Sequence, residues 1–80
     1  MLTMYSKNPC PNCVTAEQHL KQHNIEYKKV MIVADGVTGE NTISRSEFMK
    51  AFPTVRVAPY FVDEDGNTYL NYTSVINELA

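Results

Sequence analysis

The chain has no cluster of positive charge, no long apolar run and very little cysteine, and each shortage closes off a class of function. Its seven Lys and Arg residues are scattered among nine Asp and Glu, for a net charge of −2. A nucleic-acid-binding domain needs a basic stripe or patch, so no nucleic-acid partner is expected. No stretch approaches the roughly 20 consecutive apolar residues that span a bilayer, so no membrane role is expected either. Met1-Leu2-Thr3-Met4 lacks a cationic segment followed by an apolar one. No signal peptide is therefore expected, and the expected compartment is the cytoplasm. Internal repeats, low-complexity tracts and linkers are all missing. Eighty residues then read as one domain, 1–80, with a modest core.

Cysteine is confined to Cys10 and Cys13. Structural disulfides are rare in a reducing cytosol, and a bridge across so short a loop removes little entropy from the unfolded chain. A close pair of this kind is more often catalytic or metal-binding. The metal option fails on geometry. The other soft ligands, His19 and His23, share a helix with the cysteines. His19 lies about 9 Å along that helix from Cys13, at 1.5 Å per residue, and is rotated away from it. A closed zinc site needs four converging ligands, so no metal is expected. The two histidines read as a solvated helix face.

Along the chain, Leu2 to Tyr5 reads as a strand and Ser6-Lys7-Asn8-Pro9 as a loop. Pro11 suits a first helical turn, where its missing N–H costs nothing. Cys13, Ala16 and Leu20 recur at helical spacing from Cys10 to about His23, and Asn24 ends the run. Ile25 to Val33 is a second strand, Ala34 to Thr42 a loop. Ser44-Arg45-Ser46-Glu47 has the form of a capping box opening a short helix with Phe48, Ala51 and Phe52 on its buried side. Arg56 to Val62 and Thr68 to Tyr72 flank the turn signal Asp63 to Asn67 as a hairpin. Thr73 or Ser74 caps a last helix carrying Val75, Ile76 and Leu79. The order βαβαββα predicts an α/β fold with a parallel first pair, a right-handed crossover and an antiparallel hairpin.

Cys10 falls at the amino end of the first helix and Cys13 one turn inside it. Free N–H groups and the helix dipole favour negative charge there. A cysteine so placed has its pKa lowered from about 8.5, which raises its thiolate fraction at neutral pH. Lys7 adds positive charge, and no acidic residue lies between Lys7 and Val14. The i, i+3 spacing brings the second sulfur to the first. Cys10 is thus the expected nucleophile, and Cys13, in line with Ala16 and Leu20, the resolving thiol. Attack on a disulfide by Cys10 gives a mixed disulfide that Cys13 breaks. The plain alternative is a pair of core cysteines.

"YSKNPCPNC", "VTAEQHL", "IEYKKVMI", "SEFMKAF" and "VAPYFVDEDG", in that order and spacing, resemble a small dithiol glutaredoxin of bacterial or bacteriophage type. The resemblance implies the thioredoxin fold, a four-stranded mixed sheet flanked by three helices. It implies a thiol–disulfide oxidoreductase that reduces protein disulfides and glutathione mixed disulfides. Glutathione would be the reductant, electron transport the role, and a monomer the working form, in the host cytoplasm if the source is viral. Ribonucleotide reductase is a common client of the family. Pro59 matches the family's cis-proline, and Ala58 the residue whose main chain pairs with the cysteine of glutathione. Lys7 matches a lysine that approaches the glutathione carboxylate and the thiolate. Asn12 stands where many relatives have Tyr lining the groove, and Arg56 beside that groove. Without the resemblance, Pro59 is a trans proline ending an edge strand, and Lys7, Asn12 and Arg56 are solvated surface residues.

The family usually carries Gly-Gly before the last helix, then Thr or Cys and an Asp that hold the γ-glutamyl end of glutathione. Leu70-Asn71 occupies the Gly-Gly position here, Thr73 the next, and Ser74 stands where Asp is expected. The helix end can still take a carboxylate through its N–H groups, but Ser74 offers no charge to an ammonium. Two alternatives therefore accompany the resemblance. One is a redoxin recharged by thioredoxin reductase. The other is a dimer holding an iron–sulfur cluster through Cys10 and glutathione.

Overall fold

A computed structural model describes residues 1–7, 10–55 and 58–79. Its elements run β1 (Leu2–Ser6), α1 (Pro11–Gln22), β2 (Tyr27–Val33), β3 (Thr42–Ser44), α2 (Arg45–Ala51), β4 (Tyr60–Val62), β5 (Thr68–Tyr69) and α3 (Tyr72–Leu79). They form one mixed sheet of order β3-β2-β1-β4-β5. β1 is parallel to β2, with Met4 opposite Lys29, and antiparallel to β4, with Met4 opposite Phe61. β4 and β5 close the hairpin. The thioredoxin-type α/β architecture is as expected, with one correction. The sheet has five strands rather than four, because Thr42-Ile43-Ser44 pairs in parallel with Met31-Ile32-Val33 at the edge. Three residues inside a turn-rich segment carry too little alternation to announce a strand.

Alternation along β1 sorts the core. Leu2, Met4 and the buried Ser6 face one side, where Ala16, Leu20, Phe61 and Val75 complete a cluster under α1 and α3. Tyr5 faces the other side, where Phe48, Val55 and Tyr60 pack under α2 with Phe52, Ile32 and Ile43. That second cluster is aromatic, with Tyr5 5.3 Å from Phe52 and Phe52 5.0 Å from Tyr60 by ring centroids. Tilted and edge-on aromatic pairs of this kind add stability beyond their buried area.

The helix ends follow local chemistry. Asn24 takes φ 57° just past α1, and Ile25 N–H reaches back to Leu20 C=O at 2.9 Å, a Schellman closure that needs a residue tolerant of positive φ. Ser44 Oγ accepts the Glu47 N–H at 3.1 Å and starts α2 as the sequence pattern predicts. In the β4–β5 turn, Asp63 accepts from the N–H groups of Asp65 and Asn67, and Gly66 supplies φ 85°. α3 differs from expectation. Its cap is Asn71, whose Oδ1 accepts the Ser74 N–H at 2.8 Å, so Thr73 and Ser74 lie in the first turn rather than capping it. Asn is as good a cap as Ser and comes first, two residues after the strand ends at Tyr69, so the helix starts earlier. β5 is correspondingly shorter than the Thr68 to Tyr72 run suggested.

Candidate active site

The end of β1, the start of α1 and the start of β4 meet around the two cysteines. Cys10 is the N-cap of α1, with extended backbone (φ −151°, ψ 92°), and Pro11 follows in the first helical position. Cys10 Sγ accepts the Cys13 N–H at 3.2 Å, the place a Ser or Asp oxygen takes in an ordinary cap. Cys10 and Cys13 are joined by a disulfide, with Cα atoms 5.3 Å apart. Cys10 is half-buried, whereas Cys13 is 3% exposed. The asymmetry suits attack at Cys10 and resolution from behind by Cys13.

Reduction leaves the Cys10 sulfur at a helix N-terminus with an N–H already aimed at it and no acidic residue in the first turn. Each feature favours thiolate over thiol. Cys10 Sγ also lies 3.9 Å from the Ala58 carbonyl oxygen, which belongs to a residue 48 positions away. The Ala58–Pro59 bond is cis, as the family resemblance implied and not trans as the residues alone suggested, and Pro59 is buried.

A groove of about 390 Å³ between β2 and α2 reaches the neighbourhood of the disulfide through Ala58. Ile32, Phe48, Met49 and Ala58 are among its lining residues, and Lys7 and Arg45 add positive charge to that lining. The structure thus brings Lys7 and Ala58 to one groove next to Cys10. Asn12 is exposed in the first turn of α1, and Thr73 and Ser74 stand in the first turn of α3. Among the described residues, none of these three lines the groove. Arg56 lies outside the described residues. Arg45, Phe48 and Met49 were missed as site residues by sequence reasoning, because they carry only the signal of a short amphipathic helix. The sole hint was the proximity of Arg45 to a helix start.

Elsewhere, His19 does not form the purely solvated face expected of it. It is half-buried and stacks on Tyr72 of α3, with centroids 4.5 Å apart and planes 10° from parallel. His23 is exposed at the end of α1. Among the described residues no group of three or more His, Cys, Asp or Glu is placed to share a metal ion. Tyr27 donates its hydroxyl to Glu17 at 2.9 Å, and Glu17 pairs with Lys29 at 3.2 Å. Burial first, then the Glu17 carboxylate, pushes the Tyr27 phenol up to about 12.

The sequence matches the glutaredoxin family over residues 2–62. No curated protein matches it. Two crystal structures of the thioredoxin-like protein BC3987 superpose on it with a TM-score of 0.70 at 20% identity. One covers 100% of both chains, and the other, a point mutant, 99% of this chain and 97% of its own. Glutathione transferase E6 from Drosophila melanogaster gives a TM-score of 0.64 at 22% identity, over 99% of this chain and 33% of the transferase. At such identities these neighbours establish the thioredoxin-like fold alone. The family match takes in both cysteines, the cis Ala58–Pro59 bond and most of the chain, and this protein therefore belongs to the glutaredoxin family, as a thiol–disulfide oxidoreductase.

Proposed function

We propose that the protein uses its Cys10-Pro11-Asn12-Cys13 dithiol to reduce protein disulfides and glutathione mixed disulfides, with glutathione as its reductant. The observation that carries this reading is the placement of Cys10, half-exposed at the α1 N-cap and taking the Cys13 N–H, with Cys13 buried behind it. The Cys10 thiolate attacks one sulfur of the client disulfide, and the other sulfur leaves as a thiolate. Cys13, deprotonated, then attacks Cys10, frees the second client thiol and closes the Cys10–Cys13 disulfide. Two electrons pass to the client, and the two protons of the dithiol end on the two client thiols. Two glutathione thiols return the enzyme to the dithiol and leave as glutathione disulfide.

In this reading glutathione pairs with the main chain of Ala58 beside cis Pro59. Lys7 neutralises a carboxylate, Asn12 borders the site, and Thr73 and Ser74 receive the γ-glutamyl end. Pro11 presets the first turn. The working form is a monomer in a reducing cytoplasm. Cys10→Ser should abolish all activity. Cys13→Ser should keep one-thiol reduction of glutathione mixed disulfides and lose two-thiol reduction of protein disulfides. Equal loss in both variants, in both assays, overturns these roles.

A second reading, recharging by thioredoxin reductase, is favoured by one observation. Asn71 Oδ1 already occupies the Ser74 N–H, which leaves the α3 N-terminus with one donor fewer for a glutathione carboxylate. Turnover of a small mixed disulfide separates the two. Activity with glutathione and glutathione reductase supports the first, and activity only with thioredoxin reductase supports the second.

A further inference from the structure

The groove between β2 and α2 does not end at the residues the cysteine chemistry uses. Ala58, whose carbonyl lies 3.9 Å from Cys10 Sγ, lines it together with the apolar Ile32, Phe48 and Met49, and Lys7 and Arg45 are its cationic lining residues. Its volume of about 390 Å³ lies in the range of sites that enclose a ligand. Met49, 49% exposed, is a large apolar side chain left facing water at the groove. Met side chains reshape readily around a partner. The charges here are unequal. Lys7 and Arg45 line the groove, and the nearby Asp35 spends its carboxylate on the Ser46 N–H and hydroxyl.

Resting on the disulfide-reductase reading, we propose that this groove is a specificity site for the client polypeptide. It takes one bulky apolar side chain close in sequence to the attacked cysteine, followed by a carboxylate that meets Lys7 and Arg45. An apolar lining with two cationic residues is complementary to an apolar residue next to an acidic one. It is not complementary to a basic segment, which would meet like charge. A client chain that reaches Cys10 passes Ala58, which lies 3.9 Å from Cys10 Sγ through its carbonyl oxygen and also lines the groove. The client disulfide is reduced to two thiols while Cys10 and Cys13 are oxidised to their disulfide, as in the reaction above.

The test is a single-turnover reaction of the pre-reduced protein with symmetric disulfide dimers of short cysteine peptides, followed by acid quench and chromatography of the released thiols. No glutathione is present, so the choice of reductant does not enter. The cysteine is flanked, on either side, by Phe-Asp, Phe-Lys or Ala-Asn. The Phe-Asp peptide should react about tenfold faster than Ala-Asn, from burial of a Phe-sized side chain. It should lead Phe-Lys by a few-fold at low salt, a margin that shrinks as salt is added. Arg45→Glu should reverse the preference between the Asp and Lys peptides. An acid in the first turn of a helix is itself well tolerated, and the ratio is read within one variant, so it is independent of that variant's stability.

Equal rates across the panel overturn the groove proposal and leave the redox reading standing. Failure to reduce any peptide overturns both. Dimerisation of the reduced protein in sedimentation, abolished by Met49→Asp, assigns the groove to a second copy and overturns the proposal too.

Discussion

Replacing Asn71 with Ala tests where the last helix begins. Asn71 Oδ1 accepts the Ser74 N–H at 2.8 Å and satisfies one of the free donors of α3, an eight-residue helix whose Val75 is fully buried in the core. Loss of such a cap typically costs about 1 kcal/mol, whereas Asn→Gly at the same place costs only a few tenths. In an 80-residue domain each kcal/mol moves the melting temperature by roughly 4–8 °C. Asn71→Ala should therefore melt about 5 °C lower by circular dichroism, and Asn71→Gly within about 2 °C of the unaltered protein. Thr73→Ala and Ser74→Ala, which remove no cap, should stay within about 0.5 kcal/mol in urea titration. A neutral Asn71→Ala beside a Ser74→Ala that loses about 1 kcal/mol would refute the reasoning. It would mean that the helix starts at Ser74, with its first N–H groups elsewhere than shown.

Phe61→Ala should destabilise by about 3–5 kcal/mol, because Phe61 is fully buried opposite Met4 at the centre of the sheet. Against a total of roughly 4–12 kcal/mol for a chain of this length, that loss should lower the urea midpoint by a large part of its value, and a shift under 1 kcal/mol would contradict the assigned packing. Alkali should weaken the fold through Tyr27. Its folded value of about 12 lies above the ordinary 10.0, so its contribution is complete below pH 10 and is lost as pH rises from 10 to about 12. Tyr27→Phe should flatten the urea midpoint in that window, and an unchanged slope would count against the Glu17 pairing. On the acid side, burial pushes the Asp63 carboxyl up, but hydrogen bonds from Tyr69, Asn67 and Asp65 outweigh it and hold it below the usual range. That contribution is present above the unfolded value and lost as pH falls through the folded one, so Asp63→Asn should reduce the pH dependence below about pH 4.

Much of the site was legible because its chemistry is local. Cys10 at a cap, Pro11 in the first turn and Cys13 one turn on are relations within four residues, where helix geometry leaves little freedom. The same holds for the Ser44 cap of α2 and the Asp63 turn. Apart from β3, the element order also came through, since Cys13, Ala16 and Leu20 keep helical spacing and the hairpin carries its turn signal.

What escaped the sequence depends on partners distant along the chain. Thr42-Ile43-Ser44 becomes a strand only because β2 offers it an edge to pair with. His19 leaves the solvated face only because α3 brings Tyr72 against it. Thr73 and Ser74 were the caps the sequence offered, and the early end of β5 at Tyr69 freed Asn71 to take that place instead.

The sequence therefore settled the reactive pair, since cap, proline and i, i+3 spacing act between neighbours whatever the rest of the chain does. The tertiary structure decided what faces that pair. It set the Ala58 carbonyl 3.9 Å from Cys10 and laid Arg45, Phe48 and Met49 along one groove with Lys7. Those placements follow from which strands pair and on which face each helix packs, and these are properties of the whole buried surface rather than of any short segment.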